Sequence, residues 1–463
     1  MPAQTESPVA AALLARFRTV RAATLAFTAP LTPEDMMVQS CPEASPVKWH
    51  LAHTSWFFET FVLTPYADGY QPFHPDFHWL FNSYYTSLGD MPAKNLRSSF
   101  SRPPLADIFA YRTHVDAAVE ALLAARLDPD EVETGEILRG IALGLEHEQQ
   151  HLELIATDVK HALFTNPLHP AYTSSLNSPA STDNGQRSTY IAFRGGLTQI
   201  GITPDASDPQ AFAFDNETPR HTVYLQPFQI ANRLVTCAEY LAFMDNNGYT
   251  RPELWLSEGW TAMRASGWQS PLYWQRSAVT PSGWRIFTLH GWRPLDDLLA
   301  TPVCHLSFFE ADAFARWCGC RLPTEFEWER AAASLSPLVC GSAEKPLLTS
   351  YSTPATGTVV PAVEANMLES GALHPTLAHA APILQQILGD AWEWTASPYT
   401  GYPGYKPLPG ALGEYNGKFM SSQIILRGGS CVTPSTHIRA TYRNFFPPST
   451  RWQFSGLRLA KDA

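Results

Sequence analysis

At 463 residues, with 45% apolar and 16% charged side chains, the chain is too long for one ordinary core and too apolar to be disordered. A net charge of −11 without any basic run excludes a nucleic-acid footprint. No stretch approaches the roughly 18 uninterrupted apolar residues of a membrane span. The first apolar run is preceded by Glu6 and broken by Arg16, which does not read as a secretory signal. Seven scattered cysteines form neither a disulfide framework nor a CxxC pair, so the cytoplasm is the expected compartment.

Residues 10 to 165 read as helical. "AALLARFRTVRAATLAF" carries apolar residues at helical spacing. "ASPVKWHLAHTSWFFETFVL" opens with Ser45 as N-cap and Pro46 at the first helical position. "FHWLFNSYYTSLGD" then places Tyr84 and Tyr85 side by side on a loop. "LADIFAYRTHVDAAVEALLAA" and "GEILRGIALGLEHEQQHLELIATDVKHALF" complete four long amphipathic segments, the pattern of an antiparallel bundle whose facing helices build metal sites. The Ser/Pro/Asn/Gly tract that follows has linker composition. Beyond it come short strands in "TYIAFRGGLTQIG" and "HTVYLQPFQIA", short helices around 236–246 and 307–319, and long loops, which together read as an α+β domain. The expected boundaries are a bundle over 1–165, a linker over 166–189 and a second domain over 190–463.

His147-Glu148-Gln149-Gln150-His151 has the H-E-x-x-H spacing of zinc peptidases, with both imidazoles one helical turn apart. The extended peptidase pattern requires Gly at 154 and His at 157, where this chain has Leu154 and Thr157. No Glu occurs from Leu154 to Asn216 to act as a downstream ligand. Asp158, seven residues after His151 on the same face, stays open as a third ligand. His50 and His53, set among Trp49, Trp56 and Phe57, offer an imidazole instead. Three neutral histidines without a carboxylate leave coordination positions open and suit iron(II) oxygen chemistry as well as zinc. Tyr84 or Tyr85, protonated at neutral pH, is the candidate proton donor to reduced oxygen.

Four separated motifs, "ASPVKWHLAHTSWFFETF", "FHPDFHWLFNSYYTSLG", "HEQQHLEL" and "RGGSCVTPSTHIRATYRNFFPPSTRWQFSGLRLA", occur in the order found in the EgtB family. The chain resembles these iron(II)-dependent sulfoxide synthases of ergothioneine biosynthesis from about residue 12 to 460. The resemblance implies a DinB-like four-helix bundle followed by a domain similar to the formylglycine-generating enzyme and sulfatase-modifying factors, a C-type-lectin-like fold. "FDNETPRHTVYL", "RLPTEFEWERAA", "GDAWEWTASPY" and "LRGGS" mark this second part. It further implies His53, His147 and His151 as ligands of Fe(II), O2 as co-substrate, and hercynine and a cysteine-type thiol as small-molecule substrates. His50 is then dispensable for the metal and Glu148 has no catalytic role.

Gln150 matches a hercynine-contacting residue, and Asn444, Phe445 and Phe446 match the family's Asn-aromatic substrate motif. Paired tyrosines like Tyr84 and Tyr85 mark the branch whose catalytic tyrosines come from the bundle. Where the better-known branch grips γ-glutamylcysteine with an Asp, this chain has Phe446, so the donor stays open between cysteine and γ-glutamylcysteine. Arg97, Arg102 and Arg443 lie in or beside the motifs as candidates for binding substrate carboxylates. The activity implied joins the thiol sulfur to the imidazole carbon of hercynine. The alternatives are a related C–S or C–Se bond-forming enzyme with another donor, or an H-E-x-x-H zinc hydrolase. A formylglycine-type oxidase is disfavoured because Thr433 and Ile438 stand where its cysteines belong, with Cys431 displaced and single. A metal-free binding module would show gaps in the ligand set, and none is seen. The sequence does not specify the oligomeric state.

Overall fold

A computed structural model describes residues 8–125, 132–173, 188–204, 212–335, 351–352, 359–360, 365–379 and 383–463. Most of the expected linker, 174–187, lies outside these described residues. The chain divides into two units. The first comprises Met1–Asn166, Pro204–Phe212 and Leu408–Tyr415, and the second Pro167–Thr203, Ala213–Pro407 and Asn416–Ala463.

In the first unit, the four apolar periodicities become α1 (Pro8–Thr28), α2 (Val47–Phe58), α3 (Leu105–Ala124) and α4 (Val132–Thr165). α3 shows how the pattern works. Ile108, Tyr111, Arg112, Val115, Val119 and Leu123, three or four apart, form its buried stripe. α2 is different, because every residue from Val47 to Phe58 is buried. A helix enclosed on all sides occupies the middle of a bundle, and α2 packs on both α3 and α4. It runs directly into a π-helical turn over Glu59–Leu63, where the Glu59 carboxylate accepts bonds from the hydroxyls of Tyr70 and Tyr111, each at 2.7 Å.

The start of α2 departs from the sequence reading. Pro46, in extended conformation, takes the N-cap position, and its carbonyl accepts from Trp49 N and His50 N. Ser45 is not the cap. Its Oγ accepts from Arg97 at 2.9 Å and its N–H donates to Asp158 at 2.8 Å. A long-range buried partner has outcompeted the local capping bond.

The second unit contains a four-stranded sheet ordered β3-β2-β1-β4, with β1 Trp392–Pro398, β2 Ile424–Arg427, β3 Asn444–Phe446 and β4 Ser455–Gly456. β1–β2 and β2–β3 are antiparallel, whereas β1–β4 is parallel. The strands read near 190–200 and 221–231 are present, as are helices Cys237–Asp245 and α5 (Phe308–Trp317). The unit also contains two helices without a counterpart among the expected elements, Ser257–Ser266 and α6 (Glu325–Ala333). α6 starts with a Thr324/Glu327 capping box, a signal present in "RLPTEFEWER". Trp328, Ala331 and Ala332 of α6 pack into a core with Phe228, Ile230 and Leu384. Under the sheet, Arg427 joins Glu325 and Glu329 at 2.9 and 3.0 Å, and Arg443 joins Glu325 through both Nε and Nη2.

Candidate metal centre

His53 on α2 and His147 and His151 on α4 bring three ligand atoms within 4.8 Å of one another. The chain folds this way because α4 places His147 and His151 one turn apart on the face that meets α2. His53 is stacked between the indoles of Trp49 (4.5 Å) and Trp56 (5.3 Å), and the His147 ring lies against Phe57 at 4.5 Å.

The hydrogen bonds determine which nitrogens face inward. His53 Nδ1 donates to the Phe81 carbonyl at 2.6 Å, leaving a buried Nε2 without a partner. Both ring nitrogens of buried His147 are also unpartnered. Buried polar atoms normally find partners, so convergent orphans among imidazoles mark a cation site. Burial keeps all three rings neutral, with His147 lowered to about 3 and His53 and His151 held well below the usual histidine range. Neutral imidazole is the form that binds metal. The residues therefore fit a metal ion.

Two options that the H-E-x-x-H pattern left open find no support in the geometry. Asp158 is not a third ligand, because its carboxylate is taken by Ser45 N and by His50 Nε2 at 3.1 Å. Glu148 is also not placed as a peptidase base. It is fully buried and clamped by Arg21 at 2.8 Å and Arg112 at 2.9 Å. Burial alone would raise its carboxyl, but Arg112 and Arg21 outweigh this and hold it down at about 2. A carboxylate locked between two guanidiniums cannot take a proton from water near pH 7, which removes the physical basis of the zinc-hydrolase alternative.

Tyr85 is fully buried and stacks on Tyr84 at 4.6 Å, and the Tyr84 hydroxyl bonds to that of Tyr85 at 3.4 Å. Its ring also lies 5.6 Å from Trp56, the indole that stacks on His53. Burial, then the neighbouring Tyr84 and Tyr415, push the Tyr85 phenol well above its ordinary value, so it holds its proton.

Sequence reasoning missed Tyr415. It lies in the Leu408–Tyr415 segment of the first unit, with its ring 5.8 Å from that of His147, and its hydroxyl donates to the side-chain carbonyl of Gln150. The preceding Glu414 accepts from the backbone N–H of Thr86 and Ser87, each at 3.0 Å, and from the Thr86 hydroxyl at 2.9 Å. Neither residue stands in a periodic pattern, so nothing local marked them.

Of the candidate arginines, Arg97 is buried against Trp49 at 3.5 Å, and its guanidinium donates to Ser45 and Ser83 hydroxyls. Burial lowers it to about 9, which leaves it charged at neutral pH. Arg102 is exposed. The guanidinium of Arg443 is occupied by Glu325 and the carbonyls of Asn216 and Thr400. Asn444, Phe445 and Phe446 form β3 of the second unit, where Phe445 stacks on Tyr399 at 4.0 Å and Phe446 meets Trp452 edge-on.

Residues 176–463 match the family model of the sulfatase-modifying factor enzyme 1-like domain, and residues 16–155 match that of the DinB superfamily. The two halves thus have the folds that the motifs implied. The hercynine oxygenase of Mycolicibacterium smegmatis is 31% identical over 436 residues, covering 91% of this chain and 92% of that protein. The hercynine oxygenase of Mycobacterium tuberculosis is 31% identical over 443 residues, 92% of this chain and 93% of that protein. Ergothioneine biosynthesis protein 1 of Schizosaccharomyces pombe is 27% identical over 279 residues, 57% of this chain and 31% of that protein.

Proposed function

We propose a function from one premise: the chain belongs to the hercynine oxygenase (EgtB) family, to whose members it is similar over nine-tenths of its length. It is an oxygen-dependent oxidoreductase of ergothioneine biosynthesis. In our reading it joins the sulfur of cysteine or γ-glutamylcysteine to the imidazole carbon of hercynine as a sulfoxide, using iron(II). The observation that carries this reading is the set of three buried, neutral imidazoles converging between α2 and α4, with nitrogens of His53 and His147 unpartnered.

His53, His147 and His151 would hold the ion. Iron(II) there supplies open coordination positions and the one-electron chemistry needed to use O2. Everything else falls to the chain's own side chains. Trp49, Trp56 and Phe57 keep the imidazoles dry and fix their planes. Tyr85, with Tyr84 hydrogen-bonded to it, holds a proton on its phenol oxygen for delivery to reduced oxygen, steering oxidation towards C–S bond formation and away from thiol dioxygenation. Gln150, aligned by the Tyr415 hydroxyl, presents a side-chain amide to hercynine. Asn444, Phe445 and Phe446 are assigned to the quaternary ammonium, which favours aromatic faces and amide oxygens. Arg97, charged and hydrogen-bonded only to serine hydroxyls among its described contacts, is the preferred carboxylate partner over exposed Arg102 and engaged Arg443.

The test is anaerobic reconstitution with ferrous ion, then O2 with hercynine and either cysteine or γ-glutamylcysteine, read by mass spectrometry. A hercynyl sulfoxide conjugate is expected, and the productive thiol identifies the donor. Thiol sulfinate alone with both donors would overturn the reading.

A further inference from the structure

His151 Nδ1 lies 2.7 Å from His50 Nδ1, and His50 Nε2 lies 3.1 Å from Asp158 Oδ2, which also accepts from Ser45 N at 2.8 Å. All three side chains are buried, and His50 and Asp158 have no place in the ligand set. The bond directions follow from proton count. A carboxylate can only accept, so His50 Nε2 carries a hydrogen and donates to it. Neutral His50 then has a lone pair on Nδ1, which takes the hydrogen of His151 Nδ1. His151 is left with its lone pair on Nε2. We propose that Asp158 and His50 form a two-step relay that fixes the tautomer and plane of His151 for metal binding. His50 is thus a positioning residue, not a bystander.

A metal-binding histidine usually donates its second ring nitrogen directly to a carboxylate or carbonyl. His53 does so, to the Phe81 carbonyl. His151 instead reaches its carboxylate through a second imidazole, from a position 101 residues earlier in the chain. Asp158 lies on α4 and His50 on α2, so the relay also fixes the two ligand-bearing helices against each other. This inference rests on His151 being a metal ligand and is independent of which thiol is the substrate.

The test compares the full-length wild type with His50→Phe and Asp158→Asn. Ferrous ion affinity is measured by anaerobic chelator competition, and the visible spectrum by cobalt(II) substitution. His50→Phe removes the acceptor from His151 and is expected to weaken iron roughly 10–100-fold and to shift the cobalt bands. Asp158→Asn keeps an acceptor oxygen towards His50 and is expected to recover most of that affinity. If His50→Phe fails to fold, His50→Leu, which likewise offers no acceptor to His151, serves in its place with the same expectation of weakened iron. A merely structural His50 would lower thermal stability equally with and without metal and leave affinity and spectrum unchanged. That result overturns the relay while leaving the proposed activity standing. Wild-type protein that binds no ferrous ion would overturn the metal centre and the relay together.

Discussion

Tyr85 is a phenol whose surroundings leave it only one useful state. Burial and two neighbouring tyrosines keep its proton on, and Tyr84 is its hydrogen-bond partner. Tyr85→Phe is expected to retain iron while diverting product towards the thiol sulfinate, as is Tyr84→Phe to a smaller extent. The ratio of sulfoxide conjugate to sulfinate checks this, and an unchanged ratio in both variants would remove the proton-donor role. Glu148 illustrates the opposite case, a residue in a catalytic-looking motif whose work is structural. Its folded carboxyl sits at about 2, below an ordinary 4.5. A depressed folded value means the stabilisation is complete above the unfolded value and is lost as pH falls from about 4.5 to about 2. Glu148→Gln should therefore lower stability at pH 7 by roughly 3 kcal/mol and flatten the acid dependence in that window, measured by denaturant unfolding at several pH values.

At the scale of elements, the helices were legible and the loops that complete the site were not. α1, α3 and α4 advertise themselves through apolar residues three and four apart, because one stripe of each must leave water. The His147/His151 pair was equally plain, since helical geometry alone stacks residues four apart. What the spacing could not reveal is partnership across long separations. Thr86 and Glu414 are 328 residues apart, and Gln150 and Tyr415 are 265 apart. The Ser45 cap failed for the same reason, its Oγ accepting from Arg97 52 residues away. The Glu414 carboxylate grips the turn immediately after Tyr84 and Tyr85, so it sets where those phenols stand. Glu414→Ala should move the sulfoxide-to-sulfinate ratio in the same direction as Tyr85→Phe but less far. A ratio identical to wild type would show that the turn holds its position unaided.

For the whole molecule, the order of motifs disclosed both folds and pointed to His53 as third ligand, a choice that the residues read by themselves left open with His50 and Asp158. The sequence boundary near residue 166 is also where the main segment of the first unit ends, but the later return of Leu408–Tyr415 to that unit has no compositional signal. Metal binding offers a test at this scale, because the three proposed ligands lie on only two helices of one unit. Anaerobic addition of ferrous ion should slow amide exchange in α2 and α4 by linkage and leave the sheet β3-β2-β1-β4 at its metal-free rate. Equal protection everywhere would mean the ion acts at some other place.

The late-returning segment bears on how such a protein can be divided. A fragment ended at Asn166 would possess every imidazole of the centre yet lack the phenol that aligns Gln150 and the carboxylate that braces the paired tyrosines. In this chain, the groups proposed to meet hercynine and to donate a proton are braced from far downstream, by Tyr415 265 residues beyond Gln150 and Glu414 328 residues beyond Thr86.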